Sequence, residues 1–230
     1  MARIGNQNPT QSVILPYKKS LYQEAIYTYE LSKRTAQEWQ VNLTKHIYAV
    51  NKEGLWIHTK FGYSLPRRNG KNEVVVIREM EGLQRGENIL HTAHRTTTSH
   101  TAWERLCKLL DAAGIEYTSL RATGRERVEL PETGGRVEFR TRTTLGGLGE
   151  GFDLLVIDEA QEYTPDQESA LKYTVTDSGG ETTVYNLNVV VLDVADEEAP
   201  VITKKAGNKV VFDQFSNEVI DFKTYVTIND

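Results

Sequence analysis

Four apolar residues that run straight into two carboxylates, Leu154-Leu155-Val156-Ile157-Asp158-Glu159, constrain this chain more than any other stretch of it. An unbroken apolar run has no polar face to turn to water, so a strand built from it is buried on both sides, as the strands of parallel sheets are. Both faces of a sheet are covered when helices pack above and below it, which is the α/β class. The two carboxylates then emerge at the carboxyl end of that strand, the edge along which open α/β sheets bind ligands. In that place one acidic residue can hold Mg2+ through water while the next polarises an attacking water. The competing reading is a pair of carboxylates that caps a following helix.

The rest of the first 178 residues carries the alternation such a sheet needs. Leu21, Ala25 and Tyr29 keep one helical face, and Thr35, three residues before Glu38, predicts a capping box opening a second helix. "TKFGYSLP" reads as a strand and "KNEVVVIREMEGL" as a helix, because its apolar residues continue past one strand length. "ENILHTAH" is a further strand, and "SHTAWERLCKLLDAAG" a helix ending at Gly114. "IEYTSL", "ERVEL" and "GRVEFRT" are strands, the last two joined by a turn at Thr133-Gly134-Gly135. "TPDQESALKYT" predicts a short helix with Thr164 as its cap.

Between the first strand and the helix that follows it lies "LPRRNGKNE". A loop between strand and helix that presents Gly and Lys can bind phosphate: helix-start N–H groups converge on the anion, and the dipole adds to the attraction. Gly70 permits close backbone approach, Lys71 supplies a mobile positive charge, and Arg67, Arg68 and Asn69 complete a polar, basic turn. The usual pattern, G-x-x-x-x-G-K-[ST], has Gly where this chain has Leu65 and Ser or Thr where it has Asn72. Asn72 still offers a carbonyl oxygen to Mg2+. An exposed basic turn is the alternative for the loop alone; beside Asp158-Glu159 the phosphate reading prevails.

Other features yield to simpler explanations. His91, His94 and His100 suggest a zinc site, but no cysteine or close carboxylate joins them, and His91 and His94 fall on opposite faces of a strand. The arginines from Arg121 to Arg142 are interleaved with glutamates and read as a solvated hairpin rather than a DNA contact. Trp39, Trp56 and Trp103 read as packing residues. The one cysteine, Cys107, excludes an internal disulfide and a thiolate metal cluster, and its helix reads as burying it. No apolar run is long enough for a membrane span, and the N-terminus lacks a secretory apolar core, so a cytoplasmic origin is expected.

Taken together, "TAQEWQ", "FGYSLPRRNGKNE", "ILHTAHRTTTSH" and "GGLGEGFDLLVIDEAQEYTPDQESALKYTVTDS", in that order, make the chain from about Tyr17 to Ser178 resemble the N-terminal ATPase domain of the large terminase subunit, the DNA-packaging motor of tailed bacteriophages. The resemblance implies a P-loop NTPase fold, a parallel sheet with flanking helices, and the cofactors ATP and Mg2+. It places Arg67 at the family's phosphate-contacting arginine, which accounts for the missing first glycine. It makes Lys71 the phosphate lysine of the Walker A loop, Asp158 the magnesium carboxylate of the Walker B strand, Glu159 the catalytic glutamate and Gln40 the reader of adenine. Asn72 departs from the more common Thr or Ser, which bears on magnesium affinity. Implied partners are double-stranded phage DNA, the portal and the small terminase subunit, in the host-cell cytoplasm.

The resemblance stops after "YTVTDS". From Asp177 onward the chain has four lysines, no arginine and ten acidic residues, and reads as strands only. That stretch resembles fragments of bacterial immunoglobulin-like repeats from surface proteins. The expected organisation is therefore an incomplete ATPase domain over 1–176, lacking the coupling motif and nuclease domain, and a small all-β antiparallel fragment over 177–230. The two are joined at a short word both families share. The tail is expected to fold apart as a hairpin; the alternative is that Val184–Asp193 fills the place beside the phosphate-loop strand. Two other function classes compete: a surface-type β-rich binding module carrying an inactive ATPase remnant, and a helicase fragment, whose coupling motifs after the Asp-Glu pair are absent.

Overall fold

The computed structural model describes residues 7–66, 69–122, 125–142 and 151–160, together with the backbone of strands at 187–194, 201–204 and 226–229. It divides into two compact units, Met1–Asp193 and Val194–Asp230. The first opens with β1 (Lys19–Ser20), α1 (Tyr22–Leu31), α2 (Glu38–Ile47) and β2 (Ala49–Val50), where β1 and β2 pair antiparallel beside the two helices. It continues through β3 (Lys60–Pro66), α3 (Lys71–Gln84), β4 (Asn88–Ala93), α4 (Thr96–Ala113), β5 (Thr118–Leu120), β6 (Glu126–Glu129), β7 (Arg136–Thr141), β8 (Leu154–Ile157) and β9 (Leu187–Val194). The second unit holds β10 (Val201–Lys204) and β11 (Val226–Asn229), an antiparallel pair.

The main sheet has seven strands in the order β3-β9-β8-β4-β7-β6-β5. β4 pairs in parallel with β7 and with β8, and β8 with β9; β6 and β5 complete an antiparallel edge. The fold is mixed α/β. The hairpin turn between β6 and β7 falls at Gly134, whose φ of +74° is open to glycine without a steric penalty.

β8 behaves as its composition requires. All four residues are buried, and they alternate between two apolar clusters. Leu154 and Val156 join Ile89, Val76 and Ile77 on the side of the helices, whereas Leu155 and Ile157 pack with Leu90 and Phe152 on the other. Burying one such side chain is worth about 1.5–3 kcal/mol, so a polar residue at any of the four would weaken one layer or the other. α3 is buried from Glu73 to Leu83, which is why its sequence shows little amphipathic contrast.

Two details differ from expectation. The second helix starts at Glu38, and its cap is not the Thr35/Glu38 box: the Gln37 N–H donates to Gln40 Oε1 at 2.8 Å, so Gln37, just before the helix, and Gln40, in its first turn, do the capping. The strand at Leu187–Val194, expected to fold apart as a hairpin, instead lies between β3 and β8, in register from Leu154 opposite Leu187 to Ile157 opposite Val190. Without it β3 and β8 would each present a row of unpaired N–H and C=O groups inside the sheet, a cost that outweighs the preference of an alternating segment for a local hairpin. The expected helix at 164–174 lies outside the described residues.

Candidate functional site

The site forms where α3 begins and β8 ends. Gly70 caps α3 with φ of +76°, a left-handed conformation that a Cβ would strain. Its carbonyl receives the Glu73 N–H at 3.1 Å and the Gln40 Nε2–H at 3.4 Å. Asn69 Nδ2 donates to the Pro66 carbonyl at 3.0 Å and closes the loop on itself. Tyr63, on β3, donates its hydroxyl to the Lys71 carbonyl at 2.9 Å and so ties the strand to the first turn of the helix. Burial, followed by the negative charge of Asp158 and Glu79, raises the Tyr63 hydroxyl well above its ordinary value and keeps it a neutral donor.

Across from this helix start, Asp158 is buried at 2% exposure and meets three groups. Lys71 Nζ lies 3.9 Å from its Oδ1, Asn72 Nδ2 donates to Oδ2 at 3.3 Å, and the Glu159 N–H donates to Oδ1 at 2.9 Å. Residues 86 positions apart in the chain thus converge on one carboxylate. Glu159 itself has φ of +53°, uncommon for a residue with a side chain. Its carbonyl and that of Asp158 are both held by Arg142. Gln40 is buried, and both ends of its amide serve the protein, one at the α2 cap and one at the Gly70 carbonyl. Arg67 and Arg68 lie outside the described residues.

Several contributors were not apparent in the sequence. Glu73, in the first turn of α3, accepts bonds from Tyr29 at 2.7 Å, Arg34 at 3.2 Å and Arg105, which brings two arginines next to the loop. Behind Asp158, His91 Nδ1 meets Glu79 Oε1 at 2.6 Å in the core. Burial pulls the imidazole down, but Glu79 and then Asp158 outweigh it, and the group ends above its ordinary value. His100 sits elsewhere, between Glu126 at 3.1 Å and Glu104 at 3.5 Å and stacked on Trp103. The three histidines of the zinc-like stretch are therefore dispersed, and among the described residues no group of three or more His, Cys, Asp or Glu is placed to hold a metal. Arg127, Arg136 and Arg140 pair with Glu129 and Glu138 along the hairpin. Trp103 and Cys107 are buried in the core, and burial pushes the Cys107 thiol up. Among the described residues no helix is long and apolar enough to cross a membrane.

The crystal structure of the HK97 bacteriophage large terminase matches 76% of this chain with a TM-score of 0.58 at 12% sequence identity. The fold is shared. The match spans 38% of that terminase, so this chain corresponds to about two fifths of it. The ATPase domain of a Thermus phage large terminase matches 71% of this chain and 67% of its own length, at 15% identity and a TM-score of 0.46. The large terminase of a thermophilic bacteriophage, in complex with ADP, matches 58% and 33%, at 12% identity and a TM-score of 0.44. No protein-family model matches the chain, and no curated protein does. None of these matches supports an immunoglobulin-like fragment.

Proposed function

We propose that this chain is the ATPase portion of a phage DNA-packaging large terminase and hydrolyses ATP at the junction of α3 and β8. The observation that carries the reading is the convergence of Lys71 and Asn72 on Asp158, a helix start facing the carboxylate end of a buried parallel strand. In this reading the helix start and Lys71 hold the outer phosphates, with Arg67, Arg68 and Asn69 along the loop and Gln40 at the base. Glu159 orients the attacking water. The donor set fits Mg2+ as the ion is usually bound with nucleotides, through one or two protein oxygens plus phosphates and waters. Asp158 supplies a carboxylate, and Asn72 supplies its carbonyl oxygen once the amide turns over. Bound there, the ion would neutralise phosphate charge as the bond to the leaving group breaks.

The position of β9 supports an intact ATPase sheet rather than an inactive remnant attached to a binding module. Double-stranded phage DNA, the portal and the small terminase subunit are the partners this reading implies, in the host cytoplasm. For the tail, the antiparallel pairing of β10 with β11 supports a β-rich unit. An immunoglobulin-like origin for 177–230, joined to 1–176 by fusion or assembly error, is tested by sequencing one DNA molecule across the codons for Tyr173 to Ser178.

The test of the ATPase reading is Mg2+-dependent turnover of ATP with two variants. Glu159→Gln should bind Mg-ATP as the wild type does and lose turnover, by roughly 10²–10⁴-fold for a group that orients and activates water. Asp158→Asn should lose the Mg2+ dependence of binding as well. Glu159→Gln turning over at the wild-type rate would remove Glu159 from the chemistry.

A further inference from the structure

Arg142 follows the last residue of β7 and is the last arginine of the chain. It is 7% exposed. Its main-chain N–H donates to the Ala93 carbonyl on β4 at 2.9 Å. Its side chain passes over the carboxyl end of β4 to the end of β8, where one guanidinium nitrogen donates to the Asp158 carbonyl at 2.6 Å and the other to the Glu159 carbonyl at 2.9 Å. β4 lies between β7 and β8, so the side chain bridges two strand spacings, about 10 Å. At the same point the Asp158 N–H donates to the Thr92 carbonyl at 2.9 Å, and Glu159 turns into the left-handed region.

A forked donor that holds two successive carbonyls fixes the two peptide planes on either side of one Cα. Here those planes flank the Cα of Glu159, and the turn they define places Glu159 in a backbone conformation that residues with a Cβ avoid at a cost of about 1–2 kcal/mol. We propose that Arg142 is a positioning residue for the Asp158–Glu159 pair, its guanidinium locking the turn that aims Glu159 at the site. The proposal rests on the ATPase reading for its kinetic consequence but not for its structural one. A lysine has a single nitrogen centre and cannot hold both carbonyls in the same fixed geometry.

The experiment uses the full chain with Arg142→Lys and Arg142→Gln. Two readouts are taken, amide hydrogen exchange without nucleotide and steady-state ATP turnover. Exchange across residues 156–160 is expected to quicken by about fivefold or more while the rest of the sheet and the melting temperature hold. A misplacement of about 1 Å at a catalytic group costs roughly a hundredfold, so kcat should fall by that order with KM within about twofold of wild type. Partial recovery of turnover in the lysine variant relative to glutamine would fit a role that needs the charge as well as the fork. Unchanged exchange at 156–160 in folded variants overturns the proposal. So does a kcat loss matched by an equal rise in KM, and so does failure of both variants to fold, which would make Arg142 a tie for the sheet as a whole. If the wild type shows no turnover, the ATPase reading falls, and the exchange readout decides on Arg142 by itself.

Discussion

Truncating Lys71 to alanine takes away the cation 3.9 Å from a carboxylate that is 2% exposed. Asp158 would keep the Asn72 amide and the Glu159 N–H as donors. Breaking a buried ion pair from one side costs about 3–5 kcal/mol because it strands the other charge. The two surviving hydrogen bonds, and a lysine side chain still 15% exposed, place this case at the lower end, about 3 kcal/mol. In a chain of this length each 1 kcal/mol shifts the melting temperature by about 2–4 °C, so the variant should melt about 6–12 °C below wild type. Lys71→Ala combined with Asp158→Asn removes the stranded charge and should melt above the single variant, a non-additivity expected of contacting residues. On the proposed ATPase reading, the same truncation removes a charge-assisted bond to phosphate worth about 1.5–3 kcal/mol and should weaken Mg-ATP binding by roughly 10- to 150-fold in calorimetry. A Lys71→Ala protein that melts within about 2 °C of wild type would refute the stranded-charge argument. Equal ATP affinity would refute the assignment of the loop to phosphate.

Two further outcomes are expected. His91 has a folded-state value raised above its ordinary 6.5, so its stabilising contribution is fully present below that pH and is lost as pH rises through the folded value; thermal unfolding of His91→Gln between pH 6 and 9 should therefore lose less stability with rising pH than the wild type does, and parallel curves would show that the contact with Glu79 carries no such linkage. Amides of Leu187 to Leu192 should be strongly protected from hydrogen exchange, and Val156→Pro in β8 should release them, whereas fast exchange in the wild type would place this strand outside the sheet.

The parts of the fold legible in the sequence are those with a local physical cause. Leu154 to Ile157 could only be a strand buried on both faces, and the two clusters that divide its side chains are the direct result. The continuous apolar content of α3 and the glycine turn at Gly134 were likewise written locally. The α2 cap was not, because Thr35 fits the usual capping pattern better than Gln37 and Gln40, and the other end of the Gln40 amide is held by a residue 30 positions away, at the Gly70 carbonyl. The role of Arg142 is hidden in the sequence for a different reason. It stands in a row of arginines, several of them paired with glutamates, and nothing in its neighbours indicates that it turns inward to carbonyls at the end of a strand beyond the next one. The placement of β9 depends on two strands that need a partner, a fact about the sheet and not about the segment.

The strand order has a consequence for synthesis. The strand that leads toward Gly70 and α3 and the strand that ends beside Asp158 are not neighbours; β9 lies between them. A ribosome adding about 5–20 residues each second needs about 2–7 s to travel from Asp158 to Val194. Until Val194 has left the exit tunnel, the nascent chain holds both halves of the site without the strand that joins them, and two bare sheet edges are open to any other chain. A codon-level pause or a bound chaperone in that interval would decide how much of the protein assembles correctly.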